Sequence, residues 1–232
     1  GYKKEMFFYL KEKYGVKFII NDAFNIKNNI ESLYLARSEL KNTYVCVSDS
    51  YFVENEAFIK AFKGHSAAKS VHHGFVGGLL EHTLNVTKLC YYYVKQYPFL
   101  NKDLLLCAAL FHDVGKMKEI SRFPENDYTD DGQLLGHIVM GVELVGASIR
   151  RIPGFPKKLA SELKHCILAH HGELEYGSPK KPALAEALAL NFADNTDAKL
   201  ETFKEALKSN NDNNDWLGYN RLFESNIRKT SI

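Results

Sequence analysis

The amino-acid sequence predicts an all-α protein: a helical bundle with a small N-terminal α or α+β appendage. From about Phe58 onward, apolar residues recur at helical spacing. The segments so defined are punctuated by Gly, Pro and Asn, the residues that start and stop helices. The chain has 232 residues, 45% hydrophobic and 25% charged, enough to bury a sizeable core without cross-links.

Taken in order, residues 1–57 form the appendage, with a helix over Lys3–Tyr14, β-branched or aromatic runs at Val16–Ile20 and Tyr44–Val47, and a further helix between them. The bundle occupies residues 58–208. Gly77 and Gly78 precede a helix carrying Leu79, Leu80, Leu84, Val86 and Leu89 that runs to about Tyr97, where Pro98 stops it. Asn101 offers an N-cap for Lys102–Asp113, with Gly115 beyond the end. Lys116–Gly132, with Pro124, Asn126, Asp127, Asp130 and Asp131, reads as a polar loop. Helical spacing resumes from Leu134 to about Ile152 and is closed by Pro153–Gly154. Pro156 fits the first turn of the next helix, whose apolar positions lead through Ile167 and Leu168 to His170, His171 and the terminating Gly172. Pro182 opens a long Ala- and Leu-rich helix to about Leu207. Residues 209–232 read as an Asn- and Asp-rich loop and a short final helix around Trp216–Ile227.

Thirty Lys and Arg against 28 Asp and Glu leave a net charge of +2, and the basic pairs are scattered. That balance excludes the electrostatic footprint of a dedicated nucleic-acid binder while leaving room for a local basic groove. Cys46, Cys90, Cys107 and Cys166 have no C-x-x-C spacing and read as reduced core thiols of a cytoplasmic protein. The longest uninterrupted apolar stretch, Leu104–Phe111, is far short of the roughly 20 residues a membrane span requires, so no membrane partner is expected.

The chemistry lies in one ordered series: His82, His112-Asp113, His137, His170-His171 and Asp194. Each member falls in a helix or at its end, and side chains from neighbouring helices of a bundle can converge inside it. Any one of these histidines alone would read as a hydrogen-bonded core residue. The set reads differently, because Asp194 lies in the apolar run beginning at Leu184, and a charged carboxylate there needs a cation. Imidazole with carboxylate suits Mn, Fe, Co, Ni or Zn. So many ligands exceed what one tetrahedral ion requires, which favours two divalent ions. His170 and His171 point about 100° apart on a helix and suit two ions better than one coordination position.

The order H…HD…H…HH…D, with His112-Asp113-Val114-Gly115-Lys116 at its centre, resembles the HD-domain superfamily of metal-dependent phosphohydrolases. The segment from His72-His73-Gly74 to His82, followed by Phe123-Pro124-Glu125 through His137, is similar to the bacterial HD-domain 3′–5′ exoribonucleases of the YhaM type. The similarity runs from about Phe58 to about Leu200.

The resemblance implies that His82, His112, Asp113 and Asp194 form the basic metal site, with Asp113 able to bridge, and that His137, His170 and His171 hold a second ion. It implies that Lys116 contacts substrate phosphate, while His72 and His73, which match a family pair just ahead of the first ligand helix, either touch substrate or have a capping or structural role. His65 and His165 match no ligand position. The activity implied is metal-dependent 3′–5′ hydrolysis of single-stranded RNA or short oligonucleotides by a metal-activated hydroxide. The alternatives are a hydrolase of nucleoside monophosphates or cyclic nucleotides, and a non-catalytic, metal-stabilised nucleic-acid-binding module. That exoribonuclease family carries an OB-type domain ahead of its HD domain, and the 57 residues here are too few and too poorly patterned in strands for a five-stranded barrel. Oligomeric state, RNA-versus-DNA preference and metal identity are left open, and Glu81 and Asn195, each beside a ligand, are candidates for orienting the imidazoles.

Overall fold

The computed structural model describes residues 44–47, 50–53, 56–69, 73–209 and 215–231. The expected Lys3–Tyr14 helix, the Val16–Ile20 run and His72 lie outside the described residues. The chain divides into two units, Gly1–Ile59 and Lys60–Ile232. In the first, Tyr44–Val47 (β1) pairs antiparallel with Ser50–Val53 (β2), with Tyr44 opposite Val53 and Val47 opposite Ser50.

The helices run α1 (Glu56–Lys63), α2 (Gly78–Gln96), α3 (Lys102–Phe111), α4 (Lys116–Glu119), α5 (Asp130–Ile149), α6 (Lys157–Leu168) and α7 (Ala185–Ser209). Of these, α3 is the most apolar on all sides, and it packs against α2, α6 and α7. Its Asn101 cap accepts the Leu104 N–H at 3.1 Å, as the sequence predicts. Leu105, Ala108 and Ala109 are fully buried and join Leu79, Val86, Ile167 and Leu190 in the core.

The stretch read as one polar loop, Lys116–Gly132, is more ordered than that. It holds the single turn α4 and the start of α5, because the Thr129 hydroxyl caps α5 by accepting the Gly132 N–H at 2.9 Å. α5 bends at Gly136, whose φ of 71° lies in the left-handed region that glycine tolerates. Gly115 permits a close approach: a Cβ there would sit 1.9 Å from the His137 carbonyl oxygen, so the turn after α3 and the start of α5 meet backbone to backbone. By length and composition α5 could cross a bilayer, but here it packs against α4 and α6 and carries the half-buried His137.

The short final helix expected around Trp216–Ile227 is instead an antiparallel hairpin, β3 (Trp216–Asn220) with β4 (Ser225–Arg228). Gly218 at φ 84° and Glu224 at φ 48° cannot sit in a right-handed helix, and the Asn220 side chain accepts the Leu222 N–H to close the turn.

Candidate metal centre

Five elements deliver the predicted series to one place: α2 supplies His82, the end of α3 supplies His112 and Asp113, α5 supplies His137, the turn after α6 supplies His170 and His171, and α7 supplies Asp194. Three imidazoles are held from behind by backbone carbonyls. His112 Nδ1 donates to Ala109 O at 2.8 Å, His170 Nδ1 to Ile167 O at 2.7 Å, and His171 Nδ1 to Tyr176 O at 2.8 Å. A carbonyl can only accept, so each of these rings carries a proton on Nδ1 and presents Nε2 as its ligand atom. The other two are held by carboxylates: His82 Nδ1 donates to Asp197 Oδ2 at 2.7 Å and His137 Nδ1 to Glu119 Oε1 at 3.0 Å.

The Nε2 atoms surround Asp113. His82 Nε2 lies 3.2 Å from His112 Nε2, 3.3 Å from Asp113 Oδ2 and 3.0 Å from Asp194 Oδ1. On the other side of the carboxylate, His137 Nε2 and His170 Nε2 lie 3.5 and 3.6 Å from Asp113 Oδ1. Ligand atoms of His137, His170 and His171 all fall within 4.8 Å of one another. The seven residues thus form two sets that share Asp113.

These groups fit divalent cations. Two imidazole lone pairs 3.2 Å apart repel unless a proton or a metal ion lies between them. Asp113 Oδ1, His137 Nε2 and His170 Nε2 are buried without a hydrogen bond, an arrangement that costs energy unless a cation completes it. Ligands held about 2.0–2.2 Å from one ion stand roughly 3.0–3.5 Å apart, the spacing found around His82.

Electrostatics divides the two sets. Burial disfavours the charged form of His82 and His112, but hydrogen bonds donated to Asp113 and Asp194, and for His112 first the charge of Asp113, outweigh it; His82 is raised well above an ordinary imidazole and His112 is pushed up to about 9. His170 and His171 go the other way: burial lowers both, and His171 is lowered further by His170 beside it. Burial opposes the charge of Asp113 and Asp194, but Lys116 and His112 hold Asp113, and hydrogen bonds from His112 and His82 hold Asp194, well below the usual carboxylate range. The Lys116 ammonium pairs with Asp113 Oδ2 at 2.7 Å, which holds it charged despite its burial.

Several expectations change. His73 is fully buried, with its Nε2 3.0 Å from Asp197 Oδ2, which fits the structural one of the two roles open to it. Glu81 and Asn195 are exposed and orient no ligand; the partners that do so are Asp197 and Glu119. Asp197 follows Asp194 by three residues on α7, the spacing that places both on one helix face, which is the sequence signal that could have found it. Glu119 sits in the stretch read as loop, where no periodicity marks it. Asn191 holds the His170 backbone in place by donating to its carbonyl at 2.8 Å.

A family model described as HD domain matches residues 79–199. The chain is 36% identical over 170 residues to the 3′–5′ exoribonuclease YhaM of Bacillus velezensis, covering 73% of this chain and 53% of the relative. It is 38% identical over 147 residues to the 3′–5′ exoribonuclease YhaM of Bacillus subtilis, covering 63% and 46%. The chain spans about half the length of the curated relatives it matches. Among solved structures, the HD domain of the Listeria monocytogenes phosphodiesterase PgpH aligns over 64% of this chain and 75% of that one, with 16% identity and a TM-score of 0.40.

Proposed function

Since the chain belongs to the HD domain family, we propose that it hydrolyses phosphodiester bonds of single-stranded RNA or short oligonucleotides from the 3′ end. Two divalent ions would be held, one by His82, His112, Asp113 and Asp194, the other by His137, His170, His171 and Asp113. What carries the reading is the pair of donor sets on opposite oxygens of one buried carboxylate, Asp113. The names of the relatives supply the substrate class.

Divalent ions in these sets supply an acidified water and cations to offset charge on the phosphoryl oxygens. The protein's own part is positioning. Asp113 joins the two sets and fixes the spacing between them. Lys116, anchored on Asp113, places an ammonium beside the cluster, where a phosphate oxygen can take it as a partner in the transition state. His137 and His171 are only half-buried, so the scissile phosphate enters from their side, while His82, His112 and His170 close the interior. At the open side the Nδ1 bonds of His137, His170 and His171 turn Nε2 of each ring toward the ion.

A time course with 5′-labelled single-stranded RNA and Mn²⁺ tests this. The expected result is a ladder shortening from the 3′ end that disappears with a chelator and in Asp113→Ala. An oligonucleotide that stays intact overturns the exonuclease reading; release of phosphate from nucleoside monophosphates or of a monophosphate from cyclic nucleotides would replace it.

A further inference from the structure

We propose that Asp197, backed by His73, and Glu119 are positioning residues, one for each donor set, so that the affinity of each ion is set by its own carboxylate. The inference rests on the two-ion reading above and goes beyond it by assigning separate control of the two sites.

The two carboxylates are built alike and stand apart. Asp197 Oδ2 accepts from His82 Nδ1 at 2.7 Å and from His73 Nε2 at 3.0 Å, so one oxygen is held between two imidazoles. Glu119 Oε1 accepts from the His137 backbone N–H and from His137 Nδ1, each at 3.0 Å, so it fixes the main chain and the ring together. The remaining three imidazoles rest on carbonyls, and each donor set therefore contains one histidine backed by a full negative charge. A carboxylate behind a ligating imidazole fixes ring orientation and tautomer and makes Nε2 a stronger donor.

The backing of Asp197 comes at a backbone cost that the local fold sustains. His73 holds a left-handed φ of 60° and is fully buried, its carbonyl accepts the Ala67 N–H at 3.0 Å, and Gly78 lets the backbone at His73 approach so closely that a Cβ would sit 1.9 Å from the His73 oxygen. Strained backbone of this kind persists where its surroundings over-determine it, often at functional sites. Asp197 bonds His82 at Nδ1, the ring atom away from Nε2, and His73 bonds Asp197, so their contribution acts through His82.

Calorimetric titration of the metal-free protein with Mn²⁺ tests the assignment. Wild type is expected to bind two ions, Asp197→Asn to bind one of them roughly 10–100-fold more weakly, and Glu119→Gln to weaken the other by a similar factor. His171→Ala separates the sites, since it disables one set; in that background Asp197→Asn should weaken the remaining ion and Glu119→Gln should not. Nitrogen-15 spectra of the Zn²⁺-loaded protein give a readout that general loosening would not mimic: the His82 Nδ1–H signal shifts or exchanges in Asp197→Ala while the His112 Nδ1–H keeps its own. Melting of the metal-free variants controls for folding. Two ions bound by Asp197→Asn with unchanged affinity, or equal weakening of both ions by either variant, overturns the proposal alone. A wild-type protein that binds no ion overturns the two-ion reading and this proposal with it.

Discussion

The two donor sets contain nearly the same ligands and differ in almost everything around them. The set at His82 is sealed at three of its four members: His82, His112 and Asp113, on α2 and the end of the central α3, are 2%, 0% and 2% exposed, while Asp194 on α7 is half-buried. The set at His137 is open: His137 and His171 are half-buried, and they come from the bent start of α5 and from the turn beyond α6. In the sealed set, neighbouring carboxylates raise the imidazoles, so the metal-free cluster stores protons where a cation belongs. In the open set, burial lowers His170 and His171, whose lone pairs stand ready. Imidazoles thus become part of a proton-compensated anchor on one side and a neutral, accessible ligand set on the other. The difference comes from the second carboxylate, Asp194, which only the sealed set contains, and from burial that His170 and His171 meet without its hydrogen bond.

Asp113 is where the comparison can be broken most severely, because it is the one side chain common to both sets. Asp113→Ala should abolish binding of both ions at micromolar Mn²⁺ and lower hydrolysis by about 10³-fold or more. His171→Ala should cost only the open ion. Equilibrium dialysis with metal analysis counts the ions directly. Two ions retained by Asp113→Ala would mean that the sets are independent and that the bridge has no part in holding them.

Packing should separate the halves at a smaller scale. Leu105 is fully buried in the central helix behind the sealed set, and Leu105→Ala should destabilise the fold by about 2–5 kcal/mol, leaving the open set's ligands in place. Gly115→Ala acts elsewhere, since its new Cβ would collide with the His137 carbonyl at 1.9 Å and push the start of α5 away. Overpacking of that kind costs about 1–3 kcal/mol, with the open ion bound more weakly as a second effect. Thermal melting of the metal-free forms gives the first quantity and Mn²⁺ titration the second. A Gly115→Ala protein that binds the open ion normally would show that the close approach does not position His137.

How much of this was legible in the sequence follows the same division. The sealed half could be read from pattern, because His82, His112, Asp113 and Asp194 sit in strongly periodic helices and a carboxylate in the apolar run around Asp194 demands a cation. The bundle's helices were legible for the same reason, their starts marked by Asn101 and Pro156 and their ends by Pro98 and Gly172. The open half was only partly legible. His137, His170 and His171 stood out as residue types, but Glu119 lies in a stretch whose Pro, Asn and Asp content argues for loop, and the Thr129 cap that starts α5 early needs a local hydrogen bond to be seen. Asp197 shares a helix face with Asp194, but its pairing with His73 spans 124 residues, which no local spacing can express, so the sequence leaves His73 open between substrate contact and a structural role. At the C-terminus, the aromatic and apolar residues from Trp216 to Ile227 suggested a helix, and only the left-handed backbone at Gly218 and Glu224 turns them into a hairpin.

The smallest expected effect tests whether the open half is also the softer one. His171 is held by the segment that follows α6, and that segment is fastened back to α6 at two points: the Ser178 hydroxyl donates to Leu168 O at 2.8 Å, and the Ala183 N–H donates to His165 Nε2 at 2.8 Å. The second bond requires a neutral imidazole, because a protonated Nε2 cannot accept. Burial, with a smaller push from Lys180, holds His165 below the usual 6.5. A histidine lowered in this way stabilises the fold fully above 6.5, and the contribution is lost as pH falls through the folded value. Acidification from pH 7.5 to 5 should therefore release the Ala183 amide before it disturbs the sealed half, since protonating His165 removes the acceptor. Hydrogen exchange, corrected for the intrinsic pH dependence of the rate, should show Ala183 losing protection several-fold while Val86 and Leu105 keep theirs. Equal protection of Ala183 at both pH values would mean that the segment is held by Ser178 and its packing alone, and that the open half owes its exposure to its position rather than to weaker fastening.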